Sequence, residues 1–343
     1  MKKSILLIIS SFLLISATIY GQSIDSLIKK AESGDTAAQF NLAKKYLQGQ
    51  GVPSDTVKAF YWYKKSAEQG NSVAQYEIGY MYSAGLGTLP DLKKAVYWSK
   101  KSAEQGNAKA QDWLAALYDL GMGTQKDESK AFYWYKKSAE QGNARAQSSL
   151  GLMYEEGKGT QQDGTKAFYW YKKSAEQGNA SAQYSLGYMY KKGKGTQQDD
   201  AKAFYWYKKS AEQGNPHAQF SLALAYAYGT GTLTDPERAF YWLKKSIVKS
   251  NDNLREYLLA KWYEKGFGTQ QNDAKAFYWY RKSAEQGFGM AQFAVALAYY
   301  YGRGTQINKK MAAFWMRKAY NDGFPGAKEK WDELQLWKYE GKN

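Results

Sequence analysis

The stretch Ala59-Phe60-Tyr61-Trp62-Tyr63-Lys64-Lys65-Ser66-Ala67-Glu68-Gln69-Gly70 recurs almost unchanged along the chain, and its period decides the fold. The closing glycine falls at Gly34, Gly70, Gly106, Gly142, Gly178 and Gly214, a step of 36 residues each time. The beat continues through Ser250, Gly287 and Gly323 with one interval of 37, and the extra residue sits in Ser250-Asn251-Asp252-Asn253. A loop between helices absorbs such an insertion. A fixed period of this length marks stacked supersecondary units. A single core is not expected for 343 residues, because cores stop growing near ~250–300 residues.

Working outward, each unit reads as two helices. In the second unit the first helix runs from about Ser72 to Ala84, with Ala74, Ile78, Gly79, Met81 and Tyr82 at helical spacing. The second runs from about Leu92 to Gln105, with Ala95, Trp98, Ser102 and Ala103 as its stripe. Gly106-Asn107 reads as a left-handed stop followed by a cap for the next helix. Gly85-Leu86-Gly87-Thr88 reads as a tight inter-helix loop, and Asp127 and Asp163 stand where second helices need caps. Pro216 and Pro236 follow Asn215 and Asp235, at the first helical position. The position of Gly79 is always glycine or alanine, small enough for two backbones to approach. The tyrosine of Tyr46, Tyr82, Tyr118 and Tyr154 recurs in all units and is expected between helices, its hydroxyl partnered at the edge.

These marks resemble the Sel1-like repeat, a relative of the tetratricopeptide repeat. They are Leu150-Gly151-x-Met153-Tyr154, Gly157-x-Gly159, Lys166-Ala167-Phe168-Tyr169-Trp170-Tyr171 and Ala175-Glu176-Gln177-Gly178. The resemblance spans roughly residues 34–323 in eight units. It implies an all-α, right-handed superhelical solenoid of about eight 36-residue helix-turn-helix repeats, with first helices lining a concave face. Members are usually adaptors for protein complexes. A cysteine-rich branch is linked to β-lactam chemistry, and this chain has no cysteine, so that chemistry is not carried over.

The ends differ from the units. Lys2-Lys3 followed by an uncharged run from Ile5 to Tyr20 has the layout of a secretory leader. The reading is a signal peptide over 1–21, cleaved after Gly21, and an exported chain, periplasmic or secreted. An N-terminal capping helix is expected at 22–33 and a C-terminal one at 324–343, with a helix from Ala327 to Tyr339. No second long apolar run follows, so no integral span is expected after cleavage.

A search for chemistry finds little. His217 is the single histidine, too few for a histidine metal site; no metal and no cofactor are expected. Ser26-Leu-Ile-Lys29 and Ser246-Ile-Val-Lys249 match Ser-x-x-Lys, but the Ser-Asp-Asn and Lys-Thr-Gly partners of such enzymes are missing. The paired glycines lack the strand–loop–helix context of a nucleotide site. Glu68 and its equivalents repeat, whereas an active site occurs once. The chain is therefore read as a non-enzyme.

Two surfaces remain. Positions that vary between units are free to serve a local purpose, and on the first helix these are Val73, Tyr76, Glu77, Tyr80 and Ala84. The Tyr76 position reads Phe40, Tyr76, Asp112, Ser148, Tyr184, Phe220, Tyr257 and Phe293. The Tyr80 position reads Lys44, Tyr80, Ala116, Leu152, Tyr188, Leu224, Lys261 and Leu297. Tyr76, Tyr80, Trp113, Tyr184, Tyr188, Phe220, Leu224 and Phe293 are the expected contacts for a protein or peptide partner, since aromatics are enriched at binding hot spots. The plainer reading, that rings at the Tyr76 position pack between repeats, stands beside it. The second surface is a basic stripe, including Lys136, Lys137, Lys172, Lys173, Lys208 and Lys209, on a chain of net charge +16. It offers a place for peptidoglycan or another anionic envelope polymer; a solvated outer face is the preferred reading. Nucleic acid is not expected as a partner of an exported chain. A weak β-lactam or wall hydrolase is the remaining alternative.

Overall fold

The structure, a computed structural model, describes residues 24–247 and 252–340. The expected leader over 1–21 lies outside the described residues, as do 248–251, which include Ser250 and Asn251 of the irregular interval. A first helix, α1, covers 24–32. Eight pairs follow: α2 (Thr36–Gln48) with α3 (Thr56–Glu68), α4 (Ser72–Ala84) with α5 (Leu92–Glu104), α6 (Ala108–Leu120) with α7 (Glu128–Glu140), and α8 (Ala144–Glu156) with α9 (Gly164–Glu176). Then come α10 (Ala180–Lys192) with α11 (Asp200–Glu212), α12 (Pro216–Tyr228) with α13 (Pro236–Ile247), α14 (Asn253–Lys265) with α15 (Asp273–Glu285), and α16 (Gly289–Tyr301) with α17 (Lys309–Asn321). A short α18 (Ala327–Glu333) and a 3-10 turn (Leu336–Tyr339) complete an all-α solenoid.

Local chemistry sets most boundaries, although α16 and α18 start after Phe288 and Gly326 without a side-chain cap. Asn71 accepts from the Ala74 amide at 2.9 Å and starts α4; Asp91 accepts from the Lys94 amide at 3.0 Å and starts α5. Each such cap satisfies an amide the first turn leaves unpaired. First helices end on a left-handed glycine: Gly85 has φ 68°, and its N–H donates to the Met81 carbonyl. The loop then turns back, and the Asp91 amide donates to the Tyr82 carbonyl at 2.8 Å. The second glycine of the loop has a role that the tight-turn reading lacks. A Cβ on Gly87 would stand 2.1 Å from the Thr56 carbonyl oxygen of α3, in the preceding repeat. Gly123, Gly159, Gly231, Gly268 and Gly304 meet the same obstacle. That glycine is where one repeat's loop touches the second helix of the preceding repeat.

By contact the chain divides into two compact units, up to Ser174 and from Ala175, with the boundary inside α9. In the first, consecutive helices pack from α2 through α8; in the second, from α10 through α18. Ile78, Leu114 and Leu150 are fully buried in the first unit, and Leu186, Leu222 and Leu259 in the second. Each contributes about 1.5–3 kcal/mol through removal from water. The recurring tyrosine does wedge between helices: Tyr82 meets the edge of Phe60 at 5.1 Å, and the Lys94 ammonium stands 5.4 Å above its ring.

Buried polar clips tie the layers. Gln111 Nε2 donates to the Ala103 carbonyl at 3.1 Å, and Gln141 Nε2 donates to Gln111 Oε1 at 2.7 Å. Ser138 Oγ donates to the Ala108 carbonyl at 2.6 Å. The pattern recurs until the irregular interval. There the buried Arg255 stands where other repeats place alanine. Its guanidinium donates to the carbonyls of Pro216 and Ser246, both at 3.1 Å, and pairs with Asp252 at 2.9 Å. The arginine thus joins the first-turn carbonyl of α12 to the Ser246 carbonyl of α13. The C-terminal helix also departs from expectation. Gln335, at φ 52°, ends it early, and the chain folds back so that Leu336 is buried and Arg317 pairs with Glu340 at 2.7 Å.

Candidate functional site: the clefts of the first helices

Tyr184, Tyr188, Phe220 and Leu224 come together in the second unit. They line a cleft of about 570 Å³ between α10, α11 and α12, with Phe204 and Tyr207 as its floor and Tyr228 at its lip. A twin of about 600 Å³ lies two repeats on, between α14, α15 and α16. There Tyr257, Phe293 and Leu297 hold the places of Tyr184, Phe220 and Leu224.

The Tyr76 position faces two ways. The Tyr184 ring packs 5.8 Å from the buried Tyr207 and 5.7 Å from His217, and it also lines the cleft. Tyr257 packs 5.5 Å from Tyr280, and Phe293 5.2 Å from Phe324. Burial, helped by Tyr184 and Tyr188, holds the Tyr207 phenol above its ordinary 10.0. Burial and the nearby Glu264 act likewise on Tyr280, whose hydroxyl donates to Glu264 at 3.1 Å. Both floors therefore carry neutral hydroxyls at any physiological pH. The rims are charged: Lys191 pairs with Asp200 at 3.0 Å, and the Lys194 ammonium sits 5.4 Å above the Tyr188 ring.

Tyr76, Tyr80 and Trp113 lie in the first unit and line neither cleft. Tyr80 is exposed and stands 6.0 Å from the Trp113 ring. The Arg145 guanidinium stands 5.9 Å over the Trp113 ring and pairs with the buried Asp112. Burial raises the Asp112 carboxyl above its ordinary range, and Arg145 pulls it back in part. Tyr76 packs against Ala103, Ala110 and Leu114.

The basic stripe divides into two kinds of lysine. Lys136 approaches Glu140 at 3.9 Å, whereas Lys137 sits 5.7 Å above the Tyr133 ring. Lys173 and Lys209 likewise stand over Tyr169 and Tyr205, at 4.9 and 5.3 Å. Lys172 and Lys208 are exposed beside them. Ser246 is buried and donates to the Leu243 carbonyl at 2.7 Å, while Lys249 lies outside the described residues. His217 is exposed, with Nδ1 3.1 Å from the Arg255 guanidinium. Tyr228, Tyr257 and Leu297 were not among the expected contacts. Comparing units at the Ala84 position shows Tyr228 and Tyr301, and that signal was open to use.

The model of the Sel1 repeat matches eight segments: 36–71, 72–107, 108–143, 144–179, 180–215, 216–247, 256–288 and 289–324. The chain belongs to the Sel1 repeat family. The gap between the sixth and seventh Sel1 segments contains Ser250-Asn251-Asp252-Asn253, the place of the extra residue in the interval of 37. Among solved structures, the chain is similar to c5321, a protective antigen of uropathogenic Escherichia coli strains with an SLR fold. The identity is 34% and the TM-score 0.83, over 93% of this chain and 68% of that one. It is also similar to a Sel1 repeat protein from Oxalobacter formigenes, at 28% identity and TM-score 0.66, over 93% of both chains. No curated protein matches the chain. Sel1 repeat arrays are typically protein-interaction scaffolds. Among the described residues, no helix is long and apolar enough to cross a membrane.

Proposed function

We propose that this chain is an exported, non-enzymatic adaptor that holds a segment of a partner protein in the groove of its first helices. The observation that carries this reading is the convergence of Tyr184, Tyr188, Phe220 and Leu224 on one open cleft. Its walls are aromatic and aliphatic, its floor is a neutral tyrosine, and its rim is polar. Such a layout matches a desolvated anchor pocket inside a wet rim. The twin cleft at Tyr257 and Phe293 offers a second anchor point on the same unit. The leader-like residues 1–21 support export.

The test is an affinity capture from the native cell envelope using residues 22–343, beside the Tyr188→Ala, Leu224→Ala double variant. Both side chains are only partly buried, so helix content should be unchanged. The expected outcome is a partner retained by the wild type and held at least about tenfold more weakly by the variant, as for hot-spot residues. Equal retention by both proteins, with circular dichroism showing both folded, overturns the groove.

A further inference from the structure

The second helices carry a surface that the groove does not use. In the first unit Tyr61, Tyr97, Tyr133 and Tyr169 are exposed by 50%, 51%, 50% and 48%. Constancy between units ordinarily signals packing, yet half of each of these rings faces water. Each meets the tryptophan beside it edge-on, at 4.9 to 5.1 Å between centroids. A cation completes every rung: Lys65, Lys101, Lys137 and Lys173 stand 4.8 to 5.8 Å above the tyrosine rings. The preceding lysines are different, for Lys64 and Lys100 approach Glu68 and Glu104 at 3.8 Å. Among the described residues no carboxylate pairs with the ring-capping lysines. The result is one uncompensated ammonium and one half-bare phenol per repeat.

We infer that this ladder binds an anionic polysaccharide, with tyrosines stacking on the apolar faces of sugar rings and the ring-capping lysines taking its carboxylates. Tyrosine suits that task, since its ring covers C–H groups while its hydroxyl meets sugar hydroxyls. Charge spacing selects the polymer. Packed helices lie ~8–10 Å apart, so second helices of successive repeats lie ~10–20 Å apart. A nucleic-acid strand carries a charge every ~3.4 Å along its axis, leaving most phosphates unmatched. A glycan with one carboxylate on every second sugar comes far closer to one anion per rung. Individual rungs bind weakly, and linkage along one polymer raises the affinity.

The test uses the full chain and hyaluronate oligosaccharides of graded length, which carry one carboxylate per disaccharide. Neutral chitin oligosaccharides and single-stranded poly(dT) are the comparisons, all measured calorimetrically at low and physiological salt. Expected are affinity rising at least tenfold from a tetrasaccharide to a chain long enough for four rungs, and at least tenfold weaker binding of chitin oligosaccharides. Lys65, Lys101, Lys137 and Lys173→Gln together should lose at least tenfold, as should Tyr61, Tyr97, Tyr133 and Tyr169→Ala together, both with unchanged helix content. Tyr188→Ala, Leu224→Ala should bind hyaluronate as the wild type does, which separates this surface from the groove. The proposal is overturned by absent hyaluronate binding, by tighter binding of poly(dT), or by a tyrosine variant that binds normally. The last result would mean unspecific ion attraction.

Discussion

Gly70 and Gly87 both adopt positive φ, at 94° and 66°, yet for different reasons. Nothing lies within 4 Å of a Cβ built on Gly70, so only the left-handed backbone asks for glycine there. Gly70→Ala should cost ~1–2 kcal/mol, the strain of that conformation. At Gly87 the Thr56 carbonyl oxygen lies 2.1 Å from the added carbon, and no side-chain movement relieves it. Gly87→Ala should therefore cost ~1–3 kcal/mol more than Gly70→Ala, as overpacking does. Urea unfolding followed by circular dichroism compares the two directly, and equal losses would remove the inter-repeat contact from the account. Both glycines are legible in the sequence as turn residues. The obstacle belongs to a residue 31 positions away, and no local pattern announces it.

Helix ends supply the pH dependence. Hydrogen bonds from the following amides, then from the lysine three residues on, hold Asp91, Asp127, Asp163 and Asp199 below their ordinary 3.8. A carboxylate whose folded value is depressed adds stability above its unfolded value, and that stability is lost as pH falls through the folded one. Helix signal should accordingly weaken below about pH 4. Asp→Asn at all four caps keeps the amide acceptor and should flatten that acid limb; a limb unchanged in the variant would assign acid loss to other groups. The junction of α13 and α14 is a second weak point. Arg255→Ala removes the guanidinium from the Pro216 and Ser246 carbonyls and should cost ~2–4 kcal/mol in thermal unfolding, the loss of buried hydrogen bonds to a charged group. Arg255→Lys should recover little, because an ammonium lacks the planar fork. The aspartate caps were legible as Asp just before the second helices. Arg255 was not, since its partners gather only after α12, α13 and α14 stack.

Stacked repeats share stability mainly with their neighbours. The C-terminal end shows this in its simplest form, where Trp331 and Leu336 cover α17 and Arg317 stands 4.2 Å over the Trp331 ring. Trp331→Ala with Leu336→Ala removes two buried side chains, each costing ~2–5 kcal/mol. Amide exchange should speed up in α16 and α17 while α2 to α7 keep their protection. Uniform acceleration across both units would show a single cooperative block instead.

The repeat period, the two helices per unit, the caps, the glycine stops and the family were all written in the sequence, because each depends on residues a few positions apart or on an exact count between copies. Cleft membership was legible only in part. Variable positions pointed to Tyr184, Tyr188, Phe220 and Leu224, which share a cleft, and equally to Tyr76, Tyr80 and Trp113, which sit among Asp112 and Arg145. Tertiary structure alone separated lysines that approach a glutamate, such as Lys64, Lys100 and Lys136, from those that cap tyrosine rings, and it alone left the repeated tyrosines half in water. Both outcomes depend on how much solvent remains once neighbouring helices have packed, a quantity that no single stretch of chain contains.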